Sequence, residues 1–137
     1  MPERITGIGG IFFKAKDHAS LLAWYRDHLG LDGDPHGSTF EWREADGSGR
    51  RRHTVWSVFK HDTRYFDPSP APFMVNYRVA NLDRMLAQLK AAGVPVDEKI
   101  EESEFRRFGW AMDPEGNRFE LWEPPQTRTL GTRGASD

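Results

Sequence analysis

The sequence predicts an α+β fold made of two β-α-β-β-β modules, and three observations carry the prediction. The first is a duplication: Gly10 to Asp17 aligns with Met74 to Asn81. Leu22 then falls on Leu86, Ala23 on Ala87 and, after a one-residue deletion, Gly30 on Gly93. A unit used only twice points to two similar modules sharing one core, because a solenoid needs about three stacked units to be stable. The second is the apolar period, which runs at two residues and then at helical spacing inside each copy. The third is the run Asp67-Pro68-Ser69-Pro70-Ala71-Pro72 between the copies, whose prolines cannot feed a sheet ladder. The expected organisation is one domain over 1–125, with module one at 5–62, a linker at 63–72 and module two at 73–125, then a flexible tail at 126–137. Any pocket is expected between the halves.

Each element has a local reason. Ile11, Phe13 and Ala15 alternate with Gly10, Phe12 and Lys14, which marks a strand with one buried face. Asp17 is suited to cap the helix that follows. Leu21, Leu22, Tyr25 and Leu29 form its apolar stripe, and Gly30 supplies the left-handed stop. The second copy repeats this with Asn81 as cap, Leu82, Met85, Leu86 and Leu89 as stripe, and Gly93 as stop. After each helix the pattern returns to strands. Thr39 to Arg43 and His53 to Phe59 flank Asp46-Gly47-Ser48-Gly49, a hairpin signal. Phe108 to Met112 and Arg118 to Glu123 flank Asp113-Pro114-Glu115-Gly116-Asn117, where proline presets the turn and glycine takes the positive φ. Short strands near Leu31 to Gly33 and Pro95 to Lys99 complete the two modules.

Composition narrows the function. The 137 residues, 37% hydrophobic and 29% charged, describe a soluble chain long enough for a real core. No apolar run reaches a membrane span, and Met1-Pro2-Glu3-Arg4 lacks the apolar stretch of a signal peptide, so the expectation is a cytoplasmic protein that meets no membrane. With no cysteine, disulfides, thiolate nucleophiles and thiolate metal sites drop out. A formal net charge of −2 argues against nucleic acid as a partner. The one basic run, Arg50-Arg51-Arg52-His53, lies close to Glu41, Glu44 and Asp46 and reads as a solvated hairpin flank.

Two such modules, closed by Asp113-Pro114-Glu115-Gly116-Asn117-Arg118-Phe119-Glu120-Leu121-Trp122-Glu123 and opened by a strand and helix ending in Trp24-Tyr25-Arg26-Asp27-His28-Leu29-Gly30-Leu31, resemble the vicinal oxygen chelate superfamily. That group includes glyoxalase I, bleomycin- and fosfomycin-resistance proteins and extradiol dioxygenases. The resemblance runs from about Ile5 to Pro125 and implies a cupped mixed sheet around a cavity, helices outside, and a homodimer. Metal-using members carry a histidine on the first strand of each module and carboxylates on the last strands. The corresponding first-strand positions hold Gly10 and Met74, and Trp56 stands where the carboxylate of module one is expected. Glycine and a thioether do not suit hard cations, and only Glu120 survives, so the expectation is no metal and no cofactor. None of the five histidines forms a pair at chelating spacing.

Strand alternation then suggests a cavity face. If Ile11, Phe13, Val75, Tyr77, Phe119 and Leu121 face the helices, then Phe12, Lys14, Met74, Asn76, Arg78, Arg118, Glu120 and Trp122 face inward, with Trp56 and Val58 joining them by repeat symmetry. Trp42 and Trp110 are left open. The segment Glu101 to Trp110 is a solvated loop or a lip of the pocket with Glu104 or Arg107 reaching in. Glu120 is either a general base with a raised pKa or the partner of Arg78, Lys14 or Arg118 in a polar seam. Two functions follow. In one, Phe12, Trp56, Met74, Asn76, Arg78, Trp110, Arg118 and Trp122 bind a small organic ligand by stacking and polar contact, without catalysis. In the other, a metal-independent lyase or isomerase uses Glu120 to take a proton beside a carbonyl, with Arg78 or Arg118 stabilising the oxyanion.

Overall fold

A computed structural model describes residues 2–33, 37–103 and 107–125. The expected tail at 126–137 lies outside the described residues, as do His36 and Glu104. Module one comprises β1 (Ile5–Ala15), α1 (His18–Leu29), β2 (Gly37–Arg43) and β3 (Arg51–Lys60). Module two comprises β4 (Phe73–Val79), α2 (Leu82–Ala91), β5 (Glu101–Glu102), β6 (Arg107–Met112) and β7 (Arg118–Glu123). Among the described residues one open, mixed seven-stranded sheet runs through both in the order β2-β3-β1-β4-β7-β6-β5. The α+β prediction holds. Two short strands differ from expectation: among the described residues Leu31 to Gly33 forms no strand. The stretch Pro95 to Lys99 contributes a single bridge, Val96 to Ala111, and the short strand forms later, at Glu101–Glu102.

The ends of the helices follow the sequence chemistry. Asp17 Oδ1 accepts from the Ser20 amide at 3.1 Å, and Asn81 Oδ1 accepts from the Arg84 amide at 3.0 Å, each satisfying one of the donors a helix start leaves open. Gly30 ends α1 with φ 68°, a left-handed geometry that glycine adopts without a Cβ clash. In the β6–β7 hairpin the Asp113 amide donates to Asn117 O at 2.9 Å and Gly116 takes φ 85°.

Register decides which face each side chain joins. β1 runs antiparallel to β4 with Ile11 opposite Val75, and parallel to β3 with Phe12 beside Ser57 and Phe13 beside Val58. β4 runs parallel to β7 with Asn76 beside Glu120 and Tyr77 beside Leu121. Neighbours in register share a face, so Phe13 and Tyr77 lie on the same side, and both helices pack there. Under α2 lies a core of Val79, Leu82, Met85, Leu86 and Leu121; under α1 lies a smaller one of Ala15, Trp56 and Val58.

The opposite, helix-free face carries a third cluster: Phe66, Met74 and Trp110, flanked by Phe12, Phe59 and Phe108. Phe66 comes from the linker, and both it and Met74 are fully buried. The linker therefore does more than join the modules. It crosses β1 near Lys14, whose amide donates to Pro72 O at 2.8 Å, and lays Tyr65 and Phe66 onto the sheet. The middle of the expected cavity is filled by protein.

Candidate functional site

Glu120 occupies the centre of the helix-free face and is 2% exposed. Alternation along β7 points it away from α2, while Phe119 and Leu121 pack beneath that helix. Its carboxylate accepts three hydrogen bonds from neutral donors. Asn76 Nδ2 on β4 reaches Oε1 at 2.5 Å, Trp110 Nε1 on β6 reaches Oε2 at 3.1 Å, and the Tyr65 hydroxyl also donates to Oε2. The expected partners, Arg78, Lys14 and Arg118, make none of these contacts. Burial pushes the Glu120 carboxyl above the ordinary carboxylate range, and the three donors and the Arg118 charge offset only part of that rise. Tyr65 is pushed up as well, first by burial and then by the negative charge beside it.

Tyr65 is the site residue that sequence reasoning missed. It sits in an aperiodic linker, where neither the two-residue nor the helical period assigns a face. A usable signal was present: two adjacent aromatics, Tyr65-Phe66, in a polar, proline-rich stretch have no reason to be there unless something covers them.

Trp56 requires a correction. The expectation aimed it into the cavity; instead its ring packs edge-on against Phe13 at 5.2 Å and Tyr25 at 4.8 Å, beneath α1, with Val58 beside it. The expected match of the repeat is one residue out of step. In register, Phe12–Ser57 is the module-one equivalent of Asn76–Glu120, so Trp56 corresponds to Phe119 and Val58 to Leu121. A slip of one residue along a strand moves every side chain to the other face. Ser57, not Trp56, holds the place equivalent to Glu120.

The other sequence candidates share the helix-free face but do not form one pocket. Phe12 lies against Phe59, ring centres 5.4 Å apart. Its ring also fills the space above Gly10, where a Cβ would collide with it. Arg78 places its guanidinium 4.9 Å from the Trp122 ring, which stacks in turn on Phe108 at 6.2 Å. A Cβ at Gly9 would collide with Asn76 Oδ1 and crowd Trp122, so the two adjacent glycines let β1 pass close to these side chains. Trp42, left open by the sequence, donates to Thr54 Oγ1 at 2.8 Å in module one, away from Glu120. Arg107, a candidate for the pocket lip, instead pairs with Asp83, Glu102 and Glu123.

Open volume occurs at the side of this cluster. A cleft of about 280 Å³ is lined by Pro68 of the linker, Pro95, Val96 and Asp97 before β5, Trp110, Ala111 and Met112 of β6, and Arg118 of β7. Trp110 is its shared wall, since the indole that lines the cleft also donates to Glu120. Arg118 lies 4.9 Å from the Trp110 ring centre, with Nη1 donating to Tyr65 O at 2.8 Å and Nη2 to Asp97 Oδ2 at 3.0 Å.

The residues present do not fit the metal ion that the resemblance brings with it. The relevant positions hold Gly10, Met74, Ser57 and Glu120, a single carboxylate already engaged by three hydrogen bonds. Among the described residues no group of three or more His, Asp or Glu is arranged to hold an ion. Two polar atoms near Glu120 are left over: Asn76 Oδ1 and Trp122 Nε1 are buried without a hydrogen-bond partner among the described residues.

The family model of the glyoxalase-like domain matches residues 10–122. The chain belongs to that family. Solved structures agree on the glyoxalase-like fold at low identity. Methylmalonyl-CoA epimerase from Mycobacterium tuberculosis is 23% identical with a TM-score of 0.52, over 89% of this chain and 90% of that one. A single-residue variant of Streptomyces coelicolor methylmalonyl-CoA epimerase, in complex with 2-nitronate-propionyl-CoA, is 14% identical with a TM-score of 0.61, over 92% and 99%. A glyoxalase/bleomycin resistance protein/dioxygenase superfamily member from Vibrio splendidus 12B01 is 12% identical with a TM-score of 0.54, over 88% and 98%. None of the curated proteins matches this glyoxalase-like chain significantly. No helix among the described residues is long and apolar enough to cross a membrane.

Proposed function

We propose that this glyoxalase-like protein binds a small organic molecule without a metal ion, in the cleft between the linker, β6 and β7. The observation that carries the reading is the cleft itself: about 280 Å³, walled by an indole and mostly apolar side chains, with one guanidinium and one carboxylate. That is just below the roughly 300–1,000 Å³ typical of small-molecule pockets, enough for a compact ligand. Trp110 and Arg118 are the two sequence candidates that line it; Phe12, Met74, Asn76, Arg78 and Trp122 support the face around it, and Trp56 belongs to the core under α1. Trp110 also makes binding visible, because a ligand against it perturbs its fluorescence. Titration of ring-bearing compounds should give saturable quenching that Met112→Trp, which fills the cleft, abolishes. Undiminished affinity in M112W would remove the cleft from the proposal.

A second reading is favoured by the raised Glu120 carboxyl: a lyase or isomerase in which Glu120 takes a proton beside a carbonyl. The epimerase neighbours are named for coenzyme A thioesters, which makes such carbon acids reasonable compounds to try. Against it stands access, because Trp110 and Tyr65 separate the carboxylate from the cleft and from solvent. Any turnover that survives Glu120→Gln at the wild-type rate excludes Glu120 as the base.

The homodimer implied by the resemblance also stands as a proposal. It is supported by large apolar side chains left exposed on module one, Trp24, Leu29 and Phe40 among them. Light scattering at micromolar concentration tests it; a monomeric mass rejects it.

A further inference from the structure

The polar end of the cleft holds two opposite charges fixed against each other. Asp97 Oδ2 accepts from Arg118 Nη2 at 3.0 Å, and its Oδ1 accepts from the Lys99 amide at 3.1 Å. Hydrogen bonding from the Lys99 amide, then from Arg118, holds the Asp97 carboxyl below the ordinary carboxylate range, so it is ionised near neutrality. Arg118 is held on three sides: over the Trp110 ring, by Tyr65 O and Met74 Sδ at Nη1, and by Asp97 at Nη2. A guanidinium has five N–H donors. Among the described residues Nε and the second Nη2 hydrogen of Arg118 have no acceptor, and Arg118 lines the cleft.

The remaining wall is apolar, made of Pro68, Pro95, Val96, Ala111, Met112 and the Trp110 indole. A flat ring fits such a surface, since its faces bury against proline and methionine without stranding a polar group. A carboxylate or phosphate entering beside Arg118, whose side chain is 12% exposed, would meet the charge of Asp97 at the cleft mouth, where that carboxylate is 37% exposed, and a cation would meet Arg118. Like charges held close at a protein surface repel more strongly than in bulk water, and low salt leaves that repulsion least screened.

Resting on the binding reading above, we propose that the cleft selects neutral, ring-bearing molecules that present one hydrogen-bond acceptor to Arg118, and that Asp97 is the side chain that turns anions away. Asp97 is thus a specificity residue in the cleft, independent of the Glu120 cluster behind Trp110.

The test uses a matched pair of probes, naphthalene-2-carboxamide and naphthalene-2-carboxylate, titrated by calorimetry at low salt. The wild-type protein is expected to bind the amide about tenfold more tightly than the carboxylate. Asp97→Asn should gain about tenfold for the carboxylate with little change for the amide. Glu98→Gln, the same charge change at the exposed neighbouring position, should leave the preference as it is. Equal or tighter binding of the carboxylate by the wild type overturns the selectivity proposal and leaves the binding reading intact. An unchanged preference in D97N, with thermal unfolding showing the variant folded, overturns the role of Asp97. If neither probe binds the wild type or D97N, the cleft-binding reading falls and the selectivity proposal with it.

Discussion

The two modules share a backbone plan and diverge in what they bury. At equivalent points of the sheet module two has Asn76 beside Glu120, whereas module one has Phe12 beside Ser57. The helices differ in the same direction: α2 buries Leu82, Met85 and Leu86, while no residue of α1 is fully buried and Trp24 and Leu29 are 50% and 62% exposed. The duplication has preserved the opening strand, the N-capped helix and the closing hairpin, which tolerate many side chains. It has not preserved the chemistry of the helix-free face. One module carries a buried carboxyl group with a dedicated set of donors, and Tyr65 of the linker completes that set. Polar specialisation in one half and a plainer apolar scaffold in the other is the outcome.

The strongest way to break this comparison is truncation at the equivalent positions. Glu120→Ala leaves the buried Asn76 and Trp110 donors without an acceptor, at about 1–3 kcal/mol each, together with the part-exposed Tyr65 hydroxyl, and is expected to cost roughly 4 kcal/mol in chemical denaturation. Ser57→Ala should cost under about 1 kcal/mol. Equal losses would mean that Glu120 is not the organising group. Next comes Trp56→Ala, which should remove about 3–5 kcal/mol by emptying the space between Phe13 and Tyr25, while leaving ligand affinity in the cleft untouched.

Helix packing sharpens the contrast further. Leu86→Ala, at a buried site on α2, should cost about 3 kcal/mol, and Leu22→Ala, half-buried on α1, about half as much. Equilibrium unfolding of the pair measures it, and the reverse order would contradict the burial asymmetry.

The smallest effect is in pH dependence. Glu120 has a folded pKa raised above its unfolded one, so its contribution favours the fold at pH below the ordinary carboxylate value and is lost as pH rises through the folded value. Asp97 and Asp113, both lowered, act in the opposite sense, contributing above the ordinary value and fading as pH falls through their folded values. Glu120→Gln retains acceptor oxygen for Tyr65 and Trp110, and a flip of the Asn76 amide offers its free Oδ1 to the new NH₂ group. The variant should therefore fold, and its Tm should fall less than that of the wild type as pH is raised from acid to neutral. An identical pH profile would show that Glu120 does not titrate as its burial requires.

Much of the fold was legible because its signals are local. A capping aspartate or asparagine, a terminating glycine and an Asp-Pro-Glu-Gly-Asn turn each act within a few residues, and the structure places helices and hairpins where these signals stand. Six of the eight binding candidates lie on one face for the same kind of reason, a two-residue alternation read along β1, β4 and β7, and Trp110, whose face the alternation left open, joins them through its register with Glu120. The eighth, Trp56, was lost because alternation within a strand says nothing about the parity of its neighbour. Only the hydrogen-bond register between β1 and β3 decides that.

The chain's local chemistry thus settles the duplicated α+β plan, the ends of its helices, its turns, and the poverty of hard metal ligands at Gly10 and Met74. Folding was needed to bring Tyr65 from the linker onto Glu120, to bury Phe66 where a cavity was expected, and to open the cleft beside Trp110 instead. Those outcomes depend on residues 10 to 55 positions apart meeting across strands and a linker, and no periodicity in a linear chain encodes such a meeting.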